Sequence, residues 1–583
     1  MKREPTRLAN EQFDLLVVGA GIYGSTIAAA AAEQGLKVAL IDQGDFGHAT
    51  SANSQKIIHG GLRYLQQLDL WRMRESIAAR RHLMTVAPHL VRPLPCIVPT
   101  QGHGLRSKLV LAVALALNDL VSWDRNRAMD DAHRLPRGRV VSAAECLQRV
   151  PGLNPGDVTG GAVWFDAMAW DSERVTLAFV TSAASNGACV ANYIQATGYL
   201  GTAKTVYGVA AKNVLDGETF EIRASVVVNA MGPWSGGLSA PNGEPVPDLP
   251  RRWCRAMNVI INRQLFGEYA VGLTAGQYVD RDAILNKGTR DFFFVPWRGC
   301  TIIGTFYDRV QNWDHKDLVG PEDIQRMLRE INTAYPAADL KLTDVGYVHS
   351  GMLPEAPNSN EFHDVQLLKQ PVVVDAAPAG GVQGLLSVIG VKYTTAAQVA
   401  QRIVHTTRGK LRRVSGSTGF DSNKRDRSNT GQPSIGVNRE NAAATVQPDT
   451  VARLRATYGS ALSDVWRFLE TPESRQSLSP DQSILAGEVI YSVRREMSQK
   501  LSDVVFRRTG LGTDHYPGRR TLLRCAEVMA AEHGWTVQRM NKEIVEVEQK
   551  YSALFAAGCI ERPEPLIEAA SPKTAGNAHH GRE

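Results

Sequence analysis

The sequence predicts an α/β protein with an all-α C-terminal domain, and three observations carry that reading. Residues 14–42 read as strand, glycine turn, helix and strand. Segments rich in β-branched and aromatic residues then alternate with helical ones as far as residue 407. After a polar stretch, 408–450, the pattern is helical over 451–560, and residues 561–583 have the composition of a disordered tail. A chain of 583 residues has room for at least two domains, and 43% hydrophobic with 21% charged residues excludes global disorder.

The elements follow in order. Residues 14–19 (DLLVVG) form a short β-branched run ending in glycine, typical of a buried parallel strand. The Ala-rich stretch 25–33 is a helix closed by Gly35, and 37–42 (KVALID) is a second buried strand. Later strands are expected within 224–229, 259–262, 292–296, 301–304 and 372–375, and helices over 70–84 and 321–335. Residues 408–450, rich in Ser, Asn, Gly and Arg, read as an exposed linker. The interleaved part is therefore 1–407 and the helical domain 451–560.

Between the first strand and helix stands Gly19-Ala20-Gly21-Ile22-Tyr23-Gly24, a GxGxxG in the position the dinucleotide fingerprint requires. Gly19 permits the tight turn, Gly21 lets the backbone approach a pyrophosphate, and Gly24 allows close helix–strand packing. The helix N-terminus adds partial positive charge. Asp42 ends the second strand where a ribose hydroxyl would be accepted. The motif predicts a Rossmann-like dinucleotide site without separating NAD from FAD.

Other features mostly exclude. Seven scattered cysteines with no CxxC pair give neither a zinc site nor a redox dithiol, and they read as buried thiols; no metal is expected. Residues 1–14 lack an apolar signal core, so a cytoplasmic location is expected. The longest apolar run, 109–117 (LVLAVALAL), is far shorter than the ~20 residues of a membrane span. Flanked by Arg106, Lys108 and Trp123, it fits an interfacial helix on the cytoplasmic face of a membrane and a buried helix equally well. A net charge of +6 suits an anionic substrate or an acidic lipid surface but is too small to indicate nucleic acid.

Residues 44–66 read GDFGHATSANSQKIIHGGLRYLQ. This segment resembles the signature of the FAD-dependent glycerol-3-phosphate dehydrogenases, approximately ATSS-x-x-S-x-K-[LI]-IHGGLRYLE. The resemblance continues at Gly187-Ala188 and Asn192-Tyr193, a strand beside the adenine in that family, and through Val228 to Trp234. It returns at Phe294 to Trp297 with Ile303-Gly304-Thr305, at Gly384 to Thr395, and over residues 488–512 of the helical domain. It implies FAD as cofactor and a Rossmann-like FAD domain interleaved with a β-rich substrate domain. It also implies oxidation of sn-glycerol 3-phosphate to dihydroxyacetone phosphate, with hydride passing to flavin N5. Electrons would go to quinone or another acceptor from a peripheral membrane position, and a homodimer is compatible with it. Carried over residue by residue, it makes His59 a candidate base, with Arg63, Tyr64 and Arg255 positioning the substrate. Lys392 and Thr394 would hold the flavin. Thr50, Ser51, Lys56, Gly60, Gly61, Gly232 and Gly390 join Gly19, Gly21, Gly24 and Asp42 as cofactor-binding candidates.

The departures concern substrate. Arg255-Ala256-Met257-Asn258 stands where the family has KGxH, Leu353 replaces an Arg thought to hold phosphate, and Gln370 stands near a second Arg position. Losing two charge-assisted donors costs on the order of 3–6 kcal/mol, about two to four decades of affinity. Either Arg255, Arg63 and Lys56 rebuild the phosphate site, or the substrate is a different polyol or hydroxy acid. Two further readings stay open. One is an amine or amino-acid oxidase of the same fold; the other is a non-catalytic FAD-binding protein.

Overall fold

The computed structural model describes every residue except 102–107, 240, 242, 244–248, 280–288, 311–318, 358–364, 378–381, 415–445, 481–483 and 565–583. Seventeen strands among the described residues are divided between two sheets. They are β1 (Gln12–Val18), β2 (Val38–Ile41), β3 (Ile57–Ile58), β4 (Val91–Thr100), β5 (Arg139–Ser142), β6 (Gly160–Ala169), β7 (Cys189–Ala191), β8 (Ile194–Thr202) and β9 (Thr205–Asn213). These are followed by β10 (Thr219–Asn229), β11 (Trp253–Ile261), β12 (Ala270–Val279), β13 (Thr289–Trp297), β14 (Cys300–Arg309), β15 (Val345–Pro354), β16 (Val372–Asp375) and β17 (Leu385–Ile389).

The first sheet runs β16-β17-β10-β1-β2-β7, with the β8–β9 hairpin attached to β10. Its β17, β10, β1, β2 and β7 are parallel neighbours, so their central residues are buried on both faces and the strands are nearly all apolar. Helix α1 (Ile22–Glu33) follows the glycine turn three residues earlier than its Ala-rich stretch suggests, because Gly21 itself serves as N-cap. One core joins Ile27, Ala28 and Ala31 of this helix to Val175, Phe179 and Val180 of a helix over Ser172–Ser185. It also takes in Val399, Ile403 and Val404 of a helix over Ala396–Val414. This last helix enters the stretch read as linker, because Leu411 extends the apolar spacing of Val404 and is buried. Most of the remaining linker, and the tail from 565, lie outside the described residues.

The second sheet, β15-β11-β14-β13-β12-β4-β6-β3 with β5 beside β6, is mainly antiparallel. One of its faces shares a core with the C-terminal helices. Met257, Val259, Phe294 and Ile303 lie in one cluster with Val489, Val505, Leu522, Ile544 and Tyr551. The cap contains Ala486–Glu496, a π-helical turn at Val504–Arg508, Arg519–His533 and Val537–Glu548.

Two surface features bear on function. Helix α2 (Lys108–Val121) contains the apolar run and buries only Leu115, while Leu109 is 75% and nearby Trp123 is 76% exposed. Its inner side meets the turn Leu62–Gln67, beside which Leu68, Leu70 and Trp71 are also exposed. The run is thus largely a surface and not a core helix. No helix among the described residues is long and apolar enough to cross a membrane. All seven cysteines are free and buried. Burial raises the thiols of Cys146, Cys300 and Cys559 to about 11 and those of Cys189 and Cys525 to about 12.

Candidate active site

A groove begins at the carboxyl ends of β1 and β2 and ends against β11, β14 and β15. Its narrow end is made by backbone. Gly19 takes a φ of +100°, and a Cβ there would lie 2.6 Å from the Ala230 carbonyl oxygen. Gly24 supports the Gly19 turn from below, and its own Cβ would fall 1.8 Å from the Gly19 oxygen. Helix α1 can therefore approach β1 only with glycine at both places. Its first-turn N–H groups lie at the groove, where Ser51 Oγ accepts from Ile22 N at 2.9 Å.

Asp42 also lines this end. Its carboxylate accepts from Ala20 N (2.6 Å) and Gly44 N (2.9 Å), so it closes the turn as well as presenting an acceptor to the groove. Thr50 ties the following loop to β15, donating to Met352 O at 3.1 Å and accepting from Met352 N at 3.0 Å. Gly21, Gly232 and Gly390 are further wall residues.

The wide end is made by side chains from distant segments: Gln55, Trp253, Asn258, Thr305, Tyr307, Met352, Leu353 and Lys392. Asn258 Oδ1 accepts from Thr305 Oγ1 (3.0 Å), and Gln55 Nε2 donates to Phe293 O (3.1 Å) and Gly304 O (2.9 Å). Lys392 Nζ sits 4.5 Å from the Tyr64 ring centroid. Burial, with the nearby Arg63 guanidinium second, lowers its ammonium to about 8. Thr394 is buried just beyond, and Tyr393 Oη donates to Ser172 O at 2.6 Å.

His59 is not itself a wall residue; it is 54% exposed, with its ring 6.3 Å from that of Phe293, whose carbonyl accepts from the wall residue Gln55. Its Nδ1 is 3.2 Å from Asp166 Oδ2. Asp166 is buried and also accepts from Gly60 N (2.6 Å), Arg80 Nη1 (2.6 Å) and Trp164 Nε1 (3.3 Å). Burial opposes its ionisation, but the His59 hydrogen bond and then the Arg80 charge bring it down to about 2. An ionised Asp166 selects the tautomer with the proton on Nδ1 and leaves Nε2 as the basic nitrogen.

Several expectations are corrected. Lys56 is buried away from the groove, donating to Glu173 Oε1 at 2.8 Å and Ser172 Oγ at 3.0 Å under the Trp297 ring. Arg255 projects from the face of β11 opposite Ala256 and Asn258 and pairs with Asp308 (3.0 Å) and Asp323 (2.9 Å). Neither can rebuild a phosphate site from there. Gly60 and Gly61 pack against protein: a Cβ on Gly60 would meet Arg80 Nη1 at 2.2 Å, and one on Gly61 would meet Tyr64 and Met73. Asn192 and Tyr193 bond to the cap residues Met497 and Asp503, and it is Ile194 and Ala196 that line the groove. Gln370 is exposed in a bend. Sequence reasoning passed over Asp166 and Arg80, which stand far from His59 along the chain. It also passed over His48 and Gln55, which the matched signature segment did contain.

Comparison with known proteins shows the family and the fold. Residues 14–397 match the FAD dependent oxidoreductase family, and residues 395–540 match the C-terminal domain of alpha-glycerophosphate oxidase. A glycerol-3-phosphate dehydrogenase of Synechocystis sp. is 28% identical over 95% of this chain and 98% of its own length. One from Mycobacterium leprae is 29% identical over 97% and 93%. The structure of the glycerol-3-phosphate dehydrogenase from Bacillus halodurans complexed with FAD superposes with a TM-score of 0.66 at 20% identity, covering 96% of this chain and 99% of that one. It shares the fold, including the helical C-terminal part. The chain belongs to the FAD dependent oxidoreductase family, and FAD is its cofactor.

Proposed function

We propose, taking that membership as premise, that the protein oxidises sn-glycerol 3-phosphate to dihydroxyacetone phosphate and passes the electrons to a membrane quinone. The observation that carries the chemistry is the Asp166–His59 pair, linked to the groove through Phe293 and Gln55. The relatives named glycerol-3-phosphate dehydrogenase support the substrate.

The residues present fit FAD. An acid, a helix N-terminus and the Ser51 hydroxyl succeed one another along the groove. Gly232, with a φ of 56°, leaves open space where a side chain would stand. In this reading Asp42 holds the adenosine ribose, and Gly19 to Gly24 with Ser51 hold the pyrophosphate. Gly390 and Lys392 border the flavin. Bound FAD supplies the acceptor for the carbinol hydrogen, which leaves as hydride. His59 Nε2 removes the hydroxyl proton while Asp166 offsets the positive charge that forms on the imidazole. Tyr64 and Arg63 border the alcohol, and the Lys392 ammonium supplies positive charge at the end where negative charge accumulates.

The test is anaerobic mixing with a panel of alcohols, watching the flavin absorbance bleach. Glycerol 3-phosphate should bleach the wild-type protein. His59→Asn should retain FAD and slow reduction by about 10²-fold or more; unchanged single-turnover reduction would remove His59 from the mechanism. A second reading, oxidation of a less charged polyol or hydroxy acid, is favoured by Leu353 and Met352 at the groove and by the outward turn of Arg255. Bleaching by unphosphorylated alcohols alone would establish it, and bleaching by none would favour a binding protein without activity.

Peripheral attachment to the cytoplasmic face of a membrane completes the reading. Leu109, Val113, Leu117 and Leu120 of α2, with Leu68, Leu70, Trp71 and Trp123, present apolar side chains to solvent. Leu109→Glu should reduce co-sedimentation with anionic vesicles; binding unaffected by this charge would count against attachment through α2.

A further inference from the structure

The cap and the adenosine end of the groove meet at one buried carboxylate. Asp45, three residues past Asp42, accepts from Arg507 Nε (2.6 Å) and from Arg508 Nη1 (2.8 Å) and Nη2 (2.9 Å). Asn192 Nδ2 donates to it at 2.9 Å and also donates to Met497 O at 2.9 Å. Arg507 reaches Asp503 at 2.6 Å, and Asp503 accepts in turn from Tyr193 Oη at 2.6 Å. All of these side chains are buried. Burial alone would raise both carboxyls, but Asp45 is held well below the usual range by Arg508 and then Arg507, whereas Asp503 is raised by burial and by the charge of Asp45. The two cap guanidiniums are therefore held chiefly by a residue of the other domain.

The same residue shapes the groove. The Asp45 backbone oxygen lies 2.8 Å from His48 Nδ1, and that nitrogen is 3.4 Å from Asp42 Oδ1. His48 packs over Gly44 and faces Trp234 across the groove, with ring centroids 6.1 Å apart. Asp42, His48 and Trp234 are wall residues; Arg507 and Arg508 are not, yet one loop of seven residues, 42–48, connects the two sets.

We propose that Asp45 is a positioning residue through which the C-terminal cap and FAD stabilise each other. Docking of the Val504–Arg508 turn fixes loop 42–48 in the shape that receives the adenosine half, and FAD in the groove tightens the cap. The inference rests on the groove being the FAD site. Coupling of this kind is reciprocal, because the free energy by which the cap strengthens FAD binding equals that by which FAD strengthens cap docking.

The experiment uses the full chain, freed of FAD and titrated back, with amide hydrogen exchange followed in both states. In the wild type, FAD should slow exchange across residues 496–508, which do not line the groove, as well as across 19–24 and 388–393, which contribute to it. Arg508→Gln should raise the FAD Kd by about tenfold or more and uncouple cap exchange from FAD, while Arg508→Lys should recover part of both. Arg519→Gln, which breaks an ion pair with Glu548 within the cap, controls for general destabilisation and should leave the Kd within about twofold. Exchange in 496–508 that ignores FAD in the wild type overturns the proposal, as does an Arg508→Gln Kd no weaker than that of the control. If Arg508→Gln does not fold, the wild-type exchange decides alone. Failure of the underlying reading looks different: protection would then be absent from 19–24 as well.

Discussion

The two ends of the groove are built by opposite means. At the adenosine end most of the wall comes from one stretch of chain, residues 18–51, joined by segments 194–196 and 230–234. Gly19, Gly21, Gly24 and Asp42 belong to a single βαβ unit, and its backbone N–H groups and the Asp42 carboxylate take places set by the fold. At the substrate end Gln55, Asn258, Thr305, Leu353 and Lys392 come from five separate segments, and each position is set by side-chain packing. A site made of backbone tolerates almost no change in residue type where the chain passes itself. A site made of side chains changes specificity one residue at a time while the cofactor end stays constant.

The largest effect expected from this contrast is at Gly24. Gly24→Ala places a Cβ 1.8 Å from the Gly19 oxygen, so the backbone must move. Overpacking of this kind costs typically about 1–3 kcal/mol, and more when the main chain shifts. Flavin absorbance per purified chain should fall to under about a tenth of wild type. Normal FAD content would show that the backbone end is more adaptable than its geometry implies.

An intermediate effect is expected at Lys392, at the substrate end. Its ammonium is lowered to about 8, so it is charged below that pH and loses its charge above it. The rate of flavin reduction by substrate should therefore fall as pH rises through about 8, and Lys392→Arg should move that falling limb upward because a guanidinium stays protonated. A pH profile identical in the two proteins would assign the limb to another group. The smallest effect is expected at Arg255. Paired with Asp308 and Asp323 on the far face of β11, it should change KM by no more than about twofold when replaced by Gln. A large rise in KM would return it to the substrate end.

The same contrast explains what was legible in the sequence. The cofactor end could be read because turn, helix and acid are adjacent in sequence and each has a steric or electrostatic requirement that one residue type meets. Asn258 and Leu353 were singled out as departures, and both do line the groove. Lys56 and Arg255 were misplaced because charge gives no direction. The alternation along β11 sends Ala256 and Asn258 to the groove and Arg255 away from it, and a lysine beside a glycine-rich loop is equally at home under Trp297 paired with Glu173. Asp166 and Arg80 escaped notice because their link to His59 exists only after β6 has paired with β3. The end of the Ala396–Val414 helix, past residue 407, was read as linker because its polar face resembles one until Leu411 is seen to be buried.

The burial of every cysteine has a consequence for the life of the enzyme. Peroxides oxidise thiolates, and a thiol at about 11 is ionised to only on the order of one part in ten thousand at neutral pH, even before access is considered. A FAD dependent oxidoreductase thus carries seven buried sulfurs that the fold shields from oxidants. Each becomes reactive when its own region opens: Cys189 reports on the parallel sheet, Cys300 on the substrate sheet and Cys525 on the cap. The chain carries its own set of ageing marks, and the order in which they oxidise records which part of the molecule loosens first.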